Sequence, residues 1–316
     1  MKYAILFSGQ GAQRPNMGVD LMADSLFSDT IDKASRATGL DLLTIMKSEH
    51  DELKQTVNVQ PAIVAMSVGL YRMLKRDLPD LPVAGMVGLS LGEYSALLAS
   101  EAVDFDSGMQ LLADRAKYMQ ADADSTPSTM AAVLNPQVDG LVALLKQLAD
   151  SGEKVYPANF NSPRQVVIGG AAESVKKAGK LIKDQGLGKK VVQLRVSGAF
   201  HTPFFNTARG KMHDRLTKVT FKDPDVVVMS NTTSQPFTAD NISSILERQL
   251  AVPTHFDACL KALIKDQGAD RTLEIGPGKT LTGFARQIDR HLDRGHIATL
   301  SDYQQFVEEV ANGTQK

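Results

Sequence analysis

Ser90 lies within Gly88-Leu89-Ser90-Leu91-Gly92, a G-x-S-x-G pattern. An apolar run, Val83–Val87, precedes it directly, and a helical pattern, Glu93–Ser100, follows directly. Strand, sharp turn and helix in that order make a nucleophile elbow. The elbow strains the serine backbone, and glycines on either side keep side chains out of the crowded turn. Such a serine presents Oγ at the carboxyl edge of a sheet, with the positive end of a helix dipole aimed at it. The backbone N–H of Leu91, one residue on, is the expected oxyanion donor.

A serine at neutral pH needs a base. The histidines are 50, 201, 213, 255, 291 and 296. His50, His213, His291 and His296 sit among charged residues and read as solvated side chains on surface helices or loops. His255 follows Pro253-Thr254 at a helix start and reads as a cap-region residue. His201 differs. It lies in the turn-rich Ser197-Gly198-Ala199-Phe200-His201-Thr202-Pro203, after a strand and leading into a helix. It also follows the serine in chain order, as the base does in α/β hydrolases, and is the candidate base.

Phe7-Ser8-Gly9-Gln10-Gly11-Ala12-Gln13 forms a Gly-rich loop after the first apolar run. Gly9-x-Gly11 could open a dinucleotide fingerprint, but Arg14 takes the third glycine position and Pro15 follows. A nicotinamide or flavin site is therefore not expected there. The loop can instead supply a second oxyanion donor beside the first strand.

The elements that must position these residues alternate strand and helix, which points to α/β architecture. Tyr3–Phe7 and Val83–Val87 are the clearest early strands. Between them Gln60–Arg76 carries Ile63, Met66, Leu70, Met73 and Leu74 at helical spacing. After a helix around Asp106–Asp122, Asp124-Ser125-Thr126-Pro127-Ser128 reads as a linker. Then come a strand at Met130–Leu134, a helix at Val138–Asp150, strands at Val155–Asn159 and Gln165–Ile168, a helix at Ala171–Gln185 and a strand at Lys190–Leu194. This β-α-β-β-α-β order marks a ferredoxin-like unit. Residues 127–195 are thus expected to be a small domain inserted into a larger one made of 1–126 and 196–316. The larger pattern resumes with strands at Val226–Met229 and Thr272–Ile275 and helices at Asn241–Leu250 and Phe256–Gln267. Cys259 falls on the apolar face of the last helix and reads as core.

Composition bounds the classes. At 43% apolar and 22% charged residues, the 316-residue chain can bury a large core, which excludes disorder. A net charge of -1 argues against a nucleic-acid binder. One cysteine excludes a disulfide framework and a Cys-based zinc site. No stretch approaches the ~20 apolar residues that span a bilayer. The N-terminal run is too short for a signal peptide and reads as a buried strand, so a cytoplasmic location is expected.

Together these segments resemble the malonyl-CoA:acyl carrier protein transacylase family of fatty-acid synthesis. The resemblance runs through nearly the whole chain. Its landmarks are the Phe7–Gln13 loop, Gly88-Leu89-Ser90-Leu91-Gly92-Glu93-Tyr94, Asp114-Arg115-Ala116 and Met130-Ala131-Ala132-Val133. Later come Ala158-Asn159-Phe160-Asn161-Ser162-Pro163, Gly198-Ala199-Phe200-His201-Thr202 and Glu274-Ile275-Gly276-Pro277-Gly278. The resemblance implies an α/β-hydrolase-like core, with a mostly parallel sheet, plus a ferredoxin-like insertion. It implies Ser90 as the acylated nucleophile, His201 as base and acid, and backbone N–H groups of Gln10 and Leu91 as the oxyanion hole. It implies Arg115 as the grip on the malonyl carboxylate and the backbone carbonyl of Gln249 as the group that orients the histidine.

Leu89 departs from the family, where many members have histidine at that place; this touches pocket polarity rather than the core chemistry. Phe200 resembles the malonyl-selective pattern, since its ring would crowd an α-methyl group. The implied partners are malonyl-CoA and the phosphopantetheine thiol of acyl carrier protein, with no metal or redox cofactor, no nucleic acid and no membrane; a monomer is expected. Lys189, Lys190 and Arg286 are candidates for a basic rim facing an acidic carrier protein. Rival readings are a stand-alone acyltransferase of a polyketide synthase, a serine esterase or thioesterase, and a non-catalytic carrier-binding scaffold. Arg115 argues against the esterase, and the intact Ser90, His201 and Arg115 set argues against the scaffold.

Overall fold

The computed structural model describes residues 1–313. Its first sheet is built around β1 (Tyr3–Phe7), whose five residues are all buried. Tyr3, Ile5 and Phe7 point into one apolar cluster, and Ala4 and Leu6 into another on the opposite face. A strand covered on both faces reads as a continuous apolar run. Helices α1 (Ser25–Thr38), α2 (Leu42–Lys47) and α3 (Thr56–Asp77) lead to β2 (Val83–Gly88), which pairs with β1 in parallel. Next come α4 (Gly92–Ala99) and α5 (Phe105–Ser125), and α5 packs on α3 and α1.

The chain then builds the second sheet from β3 (Thr129–Leu134), α6 (Val138–Asp150), β4 (Val155–Ser162), β5 (Gln165–Gly170), α7 (Ala172–Asp184) and β6 (Lys190–Gln193). The strand order β6-β3-β5-β4, antiparallel throughout, is the ferredoxin-like arrangement. Ala131, Val133, Val166 and Ile168 face α6 and α7. Met130, Ala132 and Val167 face the other way.

The remainder supplies α8 (Asn206–Leu216), β7 (Val228–Met229), α9 (Ala239–Gln249), β8 (Thr254–His255), α10 (Phe256–Gln267), β9 (Arg271–Ile275), α11 (Thr280–Ile288), β10 (Asp293–Ile297) and α12 (Leu300–Gly313). The first sheet reads β10-β9-β1-β2-β7 and is parallel throughout.

The structure revises the sequence reading in places. Helix α5 continues to Ser125, so the expected linker shrinks, because Asp122 and Ala123 are buried. Strand β7 has two residues rather than four. Strand β8 comes from outside 127–195 yet joins the second sheet by parallel pairing with β4, through Asn159 with Thr254 and Phe160 with His255. His296 is a half-buried residue of β10 rather than a solvated one on a helix or loop, because β10 extends the parallel sheet past β9. Cys259 is buried among the apolar residues of α10. Among the described residues no helix is long and apolar enough to cross a membrane.

Candidate active site

Ser90 sits at the end of β2, in the left-handed region with φ 52°, and α4 starts two residues later. A Cβ on Gly88 would lie 1.9 Å from the carbonyl carbon of Gly92, and one on Gly92 would lie 2.1 Å from the carbonyl oxygen of Phe7. Both contacts are with backbone, so neither position accepts a side chain without moving the chain. The Ser90 N–H donates to Asn231 Oδ1 at 3.0 Å, which fixes the turn from outside the motif.

His201 also holds a left-handed conformation, φ 62°, and is buried. Non-glycine residues in this region are uncommon and cluster at functional sites. Its Nε2 lies 2.7 Å from Ser90 Oγ and its Nδ1 lies 2.7 Å from the backbone carbonyl of Gln249. A carbonyl only accepts, so Nδ1 carries the proton and Nε2 presents a lone pair to the serine hydroxyl. Burial pushes the imidazole down to about 4; the Arg115 charge adds to this, and the bond to Gln249 opposes it. The ring is therefore neutral at pH 7, as a general base must be.

Arg115 projects from α5 and is only 1% exposed. Its Nη1 donates to Gln60 Oε1 at 2.7 Å, and its Nη2 donates to Gln249 Oε1 at 3.0 Å and approaches Ser90 Oγ at 3.4 Å. The guanidinium lies 5.2 Å from the centre of the Tyr94 ring. Burial lowers its pKa, while Tyr94 and Glu93 oppose the shift. A guanidinium stays charged in a protein, so the site holds a desolvated cation beside Ser90.

Ser90, Arg115 and His201 line one cavity of about 350 Å³, together with Gln10, Leu91, Leu89 and Phe200. Met130, Val167 and Leu194, at the second sheet, form part of its wall, so the cavity lies between the two sheets. Among the described residues, no protein acceptor takes up the backbone N–H of Gln10 or of Leu91. Gln10 is held by its side chain, whose Oε1 accepts from Gln60 Nε2 at 3.1 Å. Phe200 lies against Phe205 with ring centres 4.9 Å apart. Gln249 stands behind the cavity and is fully buried.

The basic candidates separate. Arg286 is exposed on α11, whose Thr280, Leu281 and Phe284 line the cavity. Lys189 and Lys190 instead line a different groove, between α7 and β6, and do not reach Ser90. The remaining histidines stay outside: His213 is exposed and pairs with Glu247 at 2.9 Å, and His255 caps α10 and stacks on Phe160 at 4.7 Å. Among the described residues no group of three His, Cys, Asp or Glu side chains is placed to hold a metal.

The acyl transferase domain family matches residues 5–304. The chain belongs to this family. It is 36% identical over 290 residues to the malonyl CoA-acyl carrier protein transacylase of Escherichia coli K12, covering 91% of this chain and 93% of that protein. The crystal structure of MCAT from Streptococcus pneumoniae superimposes with a TM-score of 0.92 at 36% identity, covering 98% of this chain and all of that one. A type II PKS acyl-carrier protein in complex with its malonyl-transacylase aligns with a TM-score of 0.91 at 32% identity, over 98% of this chain and all of the matched chain.

Three residues of this acyltransferase's site were not singled out by sequence: Gln60, Glu93 and Asn231. Gln60 bridges Arg115 and Gln10. Glu93 is fully buried behind the elbow and accepts from Asn231 N–H and from Gln249 Nε2. Burial pushes its carboxyl up to about 8, opposed by those two donors and by the Arg115 charge. A signal existed for Gln60 and Arg115. Each interrupts an apolar helical face: Val59, Ile63 and Val64 surround the first, and Leu111, Leu112 and Met119 flank the second. A polar residue at such a place is buried and must find partners. Asn231 had none, because its loop meets the elbow only through folding.

Proposed function

We propose that this acyltransferase moves a malonyl group from malonyl-CoA to the phosphopantetheine thiol of an acyl carrier protein through a malonyl-Ser90 ester. The observation that carries this reading is one buried guanidinium, Arg115, placed 3.4 Å from a serine whose Oγ is 2.7 Å from a neutral histidine. Ser90 Oγ attacks the thioester carbonyl as His201 Nε2 takes its proton. The carbonyl oxygen gains charge and is held by the N–H groups of Gln10 and Leu91. The intermediate collapses, His201 returns the proton to the leaving sulfur, and coenzyme A departs. The carrier thiol then loses its proton to His201 and attacks the ester, and the intermediate collapses as His201 returns that proton to Ser90 Oγ, which releases malonyl-carrier protein and restores Ser90.

Arg115 pairs with the free carboxylate of the malonyl group, for which its planar fork is suited. The imidazolium formed in each half-reaction is steadied by the Gln249 carbonyl, which takes the place of a carboxylate. Every step uses groups of this chain and its two substrates, so the reading requires no metal or redox cofactor. Phe200 crowds an α-methyl group and favours malonyl over its α-methyl homologue, by about 1–3 kcal/mol for one methyl group, while Leu89 bears on the polarity of the pocket. We assign the catalytic unit to 1–126 with 196–316, the inserted unit to 127–195, and the protein to the cytoplasm.

Transfer assays with malonyl-, methylmalonyl- and acetyl-CoA against purified holo-carrier protein test the proposal. Malonyl transfer dominating, with little hydrolysis when the carrier is left out, is expected. Rapid hydrolysis without acceptor would instead make the protein a thioesterase.

A further inference from the structure

Among the described residues, Gln249 is the one side chain that touches the nucleophile's backbone, the arginine and a buried carboxyl group together. Its Nε2 donates to the carbonyl of Ser90 at 3.0 Å and to Glu93 Oε2, and its Oε1 accepts from Arg115 Nη2 at 3.0 Å. The amide thus has every polar atom committed, and it can serve Arg115 only in this orientation. Nothing in Gln249 itself sets that orientation, because an amide can rotate by half a turn in the same space. Ser90 and Glu93 set it. Glu93 has its other oxygen held by the backbone N–H of Asn231, whose side chain accepts from Ser90 N–H. An ionised Glu93 is acceptor-only, and both groups that contact it, the Asn231 N–H and the Gln249 NH2, are donors.

We propose that Glu93 is a positioning residue for acyl selection: it fixes the Gln249 amide so that its oxygen faces Arg115 and holds the guanidinium where a substrate carboxylate meets it. This rests on the malonyl-transfer reading above. Glu93→Gln keeps size and shape but replaces one acceptor by an NH2 group. The backbone N–H of Asn231 cannot reverse, so the new NH2 faces Gln249. The Gln249 amide then turns, setting its NH2 against Arg115 Nη2 and its oxygen against the Ser90 carbonyl. Arg115 loses a charge-assisted hydrogen bond and meets a donor instead. The backbone carbonyl of Gln249, which holds His201, stays in place.

The test compares kcat/KM for malonyl and acetyl transfer to holo-carrier protein in wild type and Glu93→Gln. The malonyl-over-acetyl ratio is expected to fall by about tenfold to a hundredfold. Equal loss for both acyl groups, or no loss, would overturn the proposal, since a merely structural role lowers both alike. If Glu93→Gln fails to fold, Gln249→Met in the same assay removes the acceptor facing Arg115 and keeps the backbone carbonyl. The same fall is expected, and an unchanged ratio overturns the proposal. A wild-type enzyme that transfers no malonyl group would refute the function itself, an outcome distinct from a working wild type with an indifferent variant.

Discussion

At the scale of single residues, burial decides the chemistry. Arg115 and His201 are both desolvated, with opposite consequences. The guanidinium keeps its charge and seeks an anion, whereas the imidazole gives its charge up and becomes a base. Arg115→Ala is expected to leave the malonyl carboxylate without its partner, a loss of about 2–5 kcal/mol, on the order of thirtyfold or more in kcat/KM. Acetyl transfer, which has no carboxylate to hold, is expected to be spared, and parallel kinetics with both thioesters check this. The pH profile follows from His201. With its pKa near 4 rather than 6.5, kcat/KM should stay level from pH 7 down to about 5 and decline only below that. A break near 6.5 would show an imidazole in ordinary solvent. Stability carries the same sign. The unfolded chain takes up a proton on His201 at 6.5 and the folded one only near 4, so this contribution is complete above 6.5 and drains away as pH falls between them. His201→Asn should flatten that part of the stability curve in chemical denaturation. Ser90 and His201 were legible from residue type, order and turn chemistry. The burial of Arg115 was not read from spacing, although its place in the apolar stripe of α5 carried the signal; its role entered through resemblance.

At the scale of elements, the elbow is the feature on which the site depends. Strand β2 enters the turn hydrogen-bonded to β1, α4 leaves it, and only glycine at 88 and 92 lets the two backbones approach. Gly92→Ala would drive a methyl group into the Phe7 carbonyl, with no flexible side chain to yield. A loss of at least about 1–3 kcal/mol is expected, read as a lower denaturation midpoint with unchanged slope. Most elements around the elbow announce themselves by local pattern. The ferredoxin-like order was visible because each strand and helix has its own period. Strand β8 was not, since two residues carry no period and its partner β4 lies far upstream in the chain. The end of α5 was misplaced for a related reason: Ser125 and Thr126 look like turn residues, but tertiary burial of Asp122 and Ala123 carries the helix onward.

At the scale of the whole molecule, the site exists only where the two sheets meet. Ser90 comes from the parallel sheet, His201 from the segment that returns after the inserted unit, and part of the cavity wall from the second sheet. Strand β8 pairs with β4 at the edge of the second sheet, and Ser162 Oγ donates to Gln287 Oε1 at 2.5 Å between β4 and α11. The net charge of -1 conceals how the cations are distributed. Arg286 stands on the helix that lines the cavity, while Lys189 and Lys190 stand over another groove. Arg286→Glu should therefore raise the KM for carrier protein and leave acylation by malonyl-CoA intact, whereas Lys189→Glu should change neither much. Stopped-flow acylation beside steady-state transfer separates the two steps.

The proposed mechanism links its two half-reactions through a covalent malonyl-Ser90 ester, and intact-mass spectrometry after mixing with malonyl-CoA, without carrier protein, measures it directly. Wild-type protein should gain one malonyl group, lost again on adding holo-carrier protein, and Ser90→Ala should gain none. An adduct that forms equally in Ser90→Ala, or a wild type that turns over with no adduct in rapid-quench samples, would contradict acyl transfer through Ser90.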